Sequence, residues 1–305
     1  MKKIFYKIKP LIPRPFQIFL RKYLVKYQKI KYKDIWPILP SSEKAPANWK
    51  GWPKGKKFAF ILTHDVELKG GHDKCLQLAL LEKELGFVSS FNFVPERYNT
   101  SPELRDELEK LGFEIGVHGL THDGKLFSNR NIFEERSIKI NQYLKQWNAV
   151  GFRAPAMHHD LEMIGKLNIS YDLSTFDVDP FEPQSDGVST IFPFLVNRSD
   201  TKGPYVEMPY TLVQDFTLFI LMKEKDAGTW EKKLKWIVEN GGMALVNVHP
   251  DYINFQNKSS SEEFPIKIYA DFLRYVKENY ADTYWNVLPK ELSDFWMEFS
   301  NNSDN

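Results

Sequence analysis

From residue 58 onward, apolar residues fall in short β-prone runs separated by stretches with helical spacing. Phe58 to Thr63, Phe87 to Val94, Phe113 to Val117, Val150 to Arg153, Ile169 to Ser174, Tyr205 to Met208 and Met243 to Val248 are strand candidates. A helix is expected from about His72 to Leu85, where Gly86 stops it. Ser101-Pro102-Glu103 opens another, with an N-cap residue and a proline at the first helical position, and Gly112 closes it. Asn131 with Glu134 resembles a capping box, ahead of a stripe of Phe133, Ile140, Leu144 and Trp147. Further helical patterns lie near 160–167 and 227–240, the last stopped by Gly241-Gly242. Strands alternating with helices predict a parallel sheet, curled into a barrel. Residues 176–204, punctuated by Pro180, Pro183, Gly187 and Pro193, are expected as an excursion lining one mouth of that barrel.

The flanks read differently. Ile18, Phe19, Leu20, Tyr23, Leu24 and Tyr27 stand among Arg21, Lys22, Lys26 and Lys29 as a basic amphipathic helix. A proline- and glycine-broken connector over 34–57 follows it. After the barrel, Tyr269, Phe272, Leu273 and Val276 mark a helix, then Trp285, Leu292, Phe295 and Trp296 a packing tail. The division expected is a basic extension and connector over 1–54, a catalytic barrel over 55–255, and a C-terminal helix and tail over 256–305.

Composition narrows the function classes. The 305 residues are 42% hydrophobic with net charge +1, which fits a globular protein and argues against a nucleic-acid binder. The balance is uneven, because 11 of the 41 Lys and Arg lie in residues 1–33, where there is no Asp or Glu. That segment suggests peripheral contact with an anionic membrane, against the plainer reading of a helix packed on the body. Lys7, Lys9, Pro10, Pro13 and Arg14 interrupt any export-signal core, and Cys75 is the only cysteine, so a cytoplasmic location is expected.

The polar residues collect where the strands end. Thr63-His64-Asp65-Val66-Glu67 ends the first strand, His118 the third, Arg153 the fourth and His249 the seventh, while Asp172 lies in the fifth. In parallel α/β barrels these ends converge on one mouth, where catalytic groups gather. His118 and His122, four residues apart, would share a face if the chain turned helical after the strand, and could pinch one metal ion. His64, His158 and His159 read as cleft-lining or hydrogen-bonded structural histidines, and His72 as a solvated helix start.

With these motifs in this order, the chain resembles the polysaccharide deacetylase family (carbohydrate esterase family 4, the NodB-homology domain) over about residues 55–255. Thr63-His64-Asp65 is similar to the family's Thr-Phe-Asp-Asp, and His118-Gly119-Leu120-Thr121-His122 to its His-Ser/Thr-x-x-His. Arg153-Ala154-Pro155 is similar to Arg-x-Pro-Tyr, Tyr171-Asp172-Leu173-Ser174 to a variable fourth motif, and Leu245-Val246-Asn247-Val248-His249 to the fifth. The resemblance implies an α/β fold, a distorted (β/α)7 barrel of the NodB-homology type with N- and C-terminal extensions.

It implies also a hydrolase that removes acetyl groups from an N-acetylated carbohydrate. One divalent metal ion, zinc being the first candidate, would be held by His118, His122 and Glu67. Asp65 would act as base and Arg153 would keep it ionised. His249 would act as acid, oriented by Asp172. Two departures stand out: Val66 occupies the family's second aspartate, so that Glu67 is the nearest substitute, and Ala156 replaces the third-motif tyrosine. A metal-free amidohydrolase on a non-sugar C–N bond and a non-catalytic glycan-binding module are the alternatives.

Overall fold

The computed structural model describes residues 14–199, 202–256 and 261–303. Lys2, Lys3, Lys7 and Lys9 of the basic segment lie outside the described residues. In chain order the strands are β1 Phe58–Val66, β2 Ser89–Phe93, β3 Glu114–His118, β4 Gly151–Arg153, β5 Tyr171–Asp172, β6 Phe194–Val196, β7 Tyr205–Glu207, β8 Met243–Asn247, β9 Ile253–Asn254, β10 Phe264–Pro265 and β11 Tyr284–Asn286. All seven expected strands are present. Helices Cys75–Leu85, Pro102–Lys110, Arg130–Gln146, Gly228–Asn240 and Ile266–Asn279 intervene or follow.

The main sheet runs β11-β1-β2-β3-β4-β5-β7-β6, and β8 also pairs with β1. Every pairing in it is parallel except β6 on β7. β1 therefore has three partners: β2 along its end, and β8 and β11 along its start and middle. The bridge Phe176↔Tyr210 prolongs the β5–β7 pairing, and the segment after β7 meets β8 through the isolated bridge Leu212↔Val246. Of the eight parallel strands, β1 to β5, β7 and β8, with one loosely tied seam, make the expected distorted (β/α)7 barrel and β11 adds to the start of β1, all nine residues of which are buried.

Alternation on β1 separates two environments. Phe60 turns outward to Phe87 and Phe272, and His64 to Glu82, while Thr63 and Asp65 face the barrel interior. By the same alternation Val66 belongs to the outer side and Glu67 to the inner.

Several local expectations shift. The helix expected over His72–Leu85 comes as two pieces, Lys69–His72 and Cys75–Leu85. His72 is not a solvated start: it is 5% exposed, accepts the Ser101 amide N–H at Nε2 (3.1 Å), and packs on Phe93 and Tyr98. The capping residue of helix Arg130–Gln146 is Asn129, which accepts from the Ile132 amide, rather than Asn131. The Ser101 cap and the left-handed stops at Gly86 and Gly241 stand where expected. Trp285 belongs to β11, so the C-terminal tail contributes a strand beside β1. Trp49 and Trp52 of the connector stack with Trp296 at 5.2 and 5.9 Å, and Trp52 donates to the Gly241 carbonyl, which ties both flanks to the barrel. Among the described residues, no helix is long and apolar enough to cross a membrane.

Candidate active site

Asp65 stands at the centre of the converging strand ends. Its Oδ1 accepts from Asn92 Nδ2 (3.1 Å) and Arg153 Nη1 (3.2 Å), and its Oδ2 from Asn247 Nδ2 (2.9 Å). Asn92 is the registered partner of Asp65 across β1 and β2. Arg153 is fully buried, and its guanidinium also donates to the Thr63 hydroxyl, the Asn247 side-chain oxygen and the Leu173 carbonyl. Burial opposes ionisation of Asp65, but Arg153, His118 and His249 outweigh it and hold the carboxyl below the usual carboxylate range.

Two imidazoles face Asp65 Oδ2 from opposite elements, each with Nε2 at 3.9 Å: His118 from the end of β3 and His249 from just beyond β8. They are in different states. Burial lowers His118 to about 4, so its ring is neutral, and its Nδ1–H donates to the Arg153 carbonyl (3.1 Å). That bond leaves the Nε2 lone pair aimed into the cleft. His249 is pushed up to about 10: burial opposes its charge, but Asp215, Glu67 and Asp65 favour it. Its Nδ1 is 2.6 Å from Asp215 Oδ1, and its amide N–H donates to Asp215 Oδ2 (2.8 Å).

His122 completes the cluster, though not from a helix. After His118 the chain loops, with Gly119 at φ +63° and His122 at φ +55°. At Gly119 a Cβ would lie 2.4 Å from Pro155 Cγ, so the turn requires glycine. The two rings sit 5.0 Å apart. Glu67 Oε1 lies 3.1 Å from His122 Nε2 and 4.0 Å from His249 Nε2. Burial opposes the charge of Glu67, but His122, His249 and His118 hold it well below the usual range.

Glu67, His118 and His122 each offer a ligand atom, all within 4.8 Å of one another. His118 Nε2 is buried with no hydrogen-bond partner among the described residues, and His122 Nε2, buried likewise, faces only the Glu67 carboxylate at 3.1 Å. Two imidazole nitrogens turned into the cleft and one ionised carboxylate make a donor set suited to a divalent ion such as zinc.

Of the sequence-predicted residues, the fold brings together Asp65, Glu67, His118, His122, Arg153 and His249. Asp172 stays away. It accepts from the Ser174 hydroxyl (2.7 Å) and amide, and neighbours Glu207, whose carboxyl burial and the charge of Asp172 push well above the usual carboxylate range. The carboxylate at the His249 ring is Asp215, on the segment after β7, where nothing in the local pattern marked it. His64 is structural: Nδ1 bonds the Val248 carbonyl and Nε2 bonds Glu82, both within 2.9 Å. Asn92, Asn247 and Asp251 also escaped the sequence reading. The first two are polar residues in apolar strands, a signal that was there to use. Asp251 accepts from the amides of Glu67, Leu68 and Gly71 at 2.8, 3.0 and 3.2 Å, and so shapes the loop that presents Glu67.

No family model and no curated protein matches the chain. Solved structures do. The chain is similar to a protein described as a polysaccharide deacetylase from Mycobacterium smegmatis, with 17% identity over 82% of this chain and 94% of that one, and a TM-score of 0.61. It is similar to Puue allantoinase, with 14% identity over 82% and 94% and a TM-score of 0.62. A protein described as a polysaccharide deacetylase from Pseudomonas aeruginosa PAO1 gives 15% identity over 81% and 93%, with a TM-score of 0.61. At such identities the likeness is one of fold, and the fold is that of the polysaccharide deacetylases, the NodB-homology barrel of carbohydrate esterase family 4.

Proposed function

We propose that the protein is a metal-dependent hydrolase that removes the acetyl group from an N-acetylated sugar. The observation that carries this reading is the convergence of the His118 and His122 Nε2 atoms and the Glu67 carboxylate within 4.8 Å of one another, beside an ionised Asp65. His118, His122 and Glu67 would hold the ion. When bound, a divalent ion there supplies Lewis acidity and lowers the pKa of a water.

The chain's own residues do the rest. Asp65, kept ionised by Arg153, takes a proton from the attacking water as its oxygen bonds to the acetamide carbonyl carbon. Asn92 and Asn247 fix the carboxylate, so Oδ2 faces the cleft without a rotamer search. His249, charged and held by Asp215, gives its Nε2 proton to the sugar nitrogen as the C–N bond breaks, since an amine leaves poorly until protonated. Acetate and the free amine are the products. The proton on Asp65 then restores His249 through solvent.

A metal-free amidohydrolase acting on a non-sugar C–N bond is the second reading, favoured by Val66 in place of the family's second aspartate. One experiment separates the two: metal content of the purified protein, with acetate release from N-acetylated sugar oligomers before and after chelation. The metal reading expects bound zinc, or another divalent ion, and activity lost on chelation. His118→Ala should lose both ion and activity while keeping its fold. Full activity in the stripped protein would overturn it.

A further inference from the structure

Ten large hydrophobic side chains are exposed among the described residues, and seven of them stand on one helix, Arg14–Lys31. The helix has two apolar sides. Ile18 and Val25, two turns apart, are buried against the body. Roughly half a turn round lie Phe16, Phe19, Tyr23, Tyr27 and Ile30, spaced three and four residues apart as a continuous outer stripe. Tyr23, Tyr27 and Ile30 are 73%, 66% and 74% exposed.

The helix is held where it is. Gln28 donates to the Pro180 carbonyl (2.8 Å), Lys29 pairs with Glu224 (3.0 Å), and Arg21 lies over the Phe216 ring at 5.2 Å. Among the described residues nothing covers the outer stripe, which stands as a surface of the described fold. The helix contains Arg14, Arg21, Lys22, Lys26, Lys29 and Lys31 and no acidic residue. Lysines flank an aromatic stripe. A second copy of this face would bring like charges together, whereas an anionic surface that accepts aromatic side chains satisfies both features.

We propose that the helix Arg14–Lys31 docks the protein on an anionic lipid bilayer, with the Phe16–Ile30 stripe in the headgroup layer and the lysines against lipid phosphates. The inward side of the docked helix reaches towards the candidate site. Phe216, under Arg21, stacks on Tyr252 at 4.9 Å, and the Tyr252 hydroxyl donates to Glu67 (3.1 Å). Two aromatic rings thus separate the lipid-facing helix from the metal-ligand cluster.

The test is flotation of the full chain with phosphatidylcholine vesicles, with and without phosphatidylglycerol. The wild-type chain should float with the anionic vesicles at low salt and be released as salt rises. The triple variant Phe19→Glu, Tyr23→Glu, Tyr27→Glu should lower the bound fraction roughly tenfold or more, with unchanged circular dichroism and thermal midpoint. Lys22→Gln with Lys26→Gln, which leaves the apolar stripe intact, should weaken binding in the same direction. A wild-type chain that stays with neither vesicle, or a triple variant that floats as well as wild type, overturns the proposal. So does a soluble dimer that the triple variant dissociates, since the stripe would then belong to a second copy.

Discussion

Asp215→Asn is the most informative single change, because one residue sets both the charge and the orientation of the proposed acid. Asp215 Oδ1 meets His249 Nδ1 at 2.6 Å and Oδ2 accepts the His249 amide at 2.8 Å, with the carboxylate fully buried. His249 rises from an ordinary 6.5 to about 10, with Asp215 the largest favourable contribution against burial. At about 1.4 kcal/mol per unit, that rise corresponds to roughly 5 kcal/mol favouring the imidazolium. Asparagine removes the charge and turns one acceptor into an NH2 donor facing N–H groups. Glu67 and Asp65 remain, so the midpoint of His249 should fall by about two units or more rather than collapse.

Nuclear magnetic resonance titration of the metal-free protein, with His249 labelled, measures that shift directly. In the loaded enzyme a nearby cation lowers both proteins' values together, so the displacement between their high-pH activity limbs is the quantity to compare. On the deacetylase reading, kcat should also fall by about 10² to 10⁴, as for a mispositioned general acid. Asp172→Asn, remote from the ring, should leave the midpoint where it is. An unmoved His249 midpoint in Asp215→Asn, or an equal shift in Asp172→Asn, would show that the acid is organised by something else.

Two further substitutions test the site and the barrel. Glu67→Gln should weaken metal retention in dialysis, whereas Asp65→Asn should abolish turnover and keep most of the ion; the opposite pattern would exchange their roles. Glu114, with its carboxylate between the Tyr171 hydroxyl and the Lys290 amide, is raised by burial from 4.5 to about 7. The folded state then holds its proton more tightly than the unfolded chain, so stability is full below about 4.5 and declines as pH rises towards about 7. The loss is roughly 3 kcal/mol. Glu114→Gln should remove that decline in urea midpoints measured from pH 5 to 8. A constant gap between the two proteins across that range would rule the linkage out.

What could be read ahead of the structure follows from how local each determinant is. The strands were legible because β1 and β8 are buried on both faces and appear as unbroken apolar runs. Asp65, His118 and His249 were legible because a polar residue at the end of such a run has no packing role. The Asp172 expectation failed because neighbouring strand ends do not say which side chains touch. Asp172 found Glu207 and Ser174, while Asp215 came from a loop beyond β7. The helical reading of His118 and His122 failed on two left-handed residues, Gly119 and His122, and a histidine at positive φ leaves no trace in periodicity. Asn131 had the composition of a cap, but Asn129, two residues earlier, took the place. Strand β11 escaped because three residues with two aromatics look the same in a strand as in a packing tail.

The Asp251 loop carries a consequence for inheritance and engineering. Its carboxylate collects three amides of the segment that follows β1, across 184 positions of sequence between Asp251 and Glu67. Gly71 fits against it only because it lacks a side chain, since a Cβ there would lie 2.3 Å from the Asp251 oxygen. Residues 65–71 and 249–252 are thus a single cassette that the chain happens to write in two places. A chimaera that imports one half from a relative without the other strands backbone N–H groups, at about 1–3 kcal/mol for each one left buried. Recombination within this fold should succeed at the outer helices and fail between those two halves.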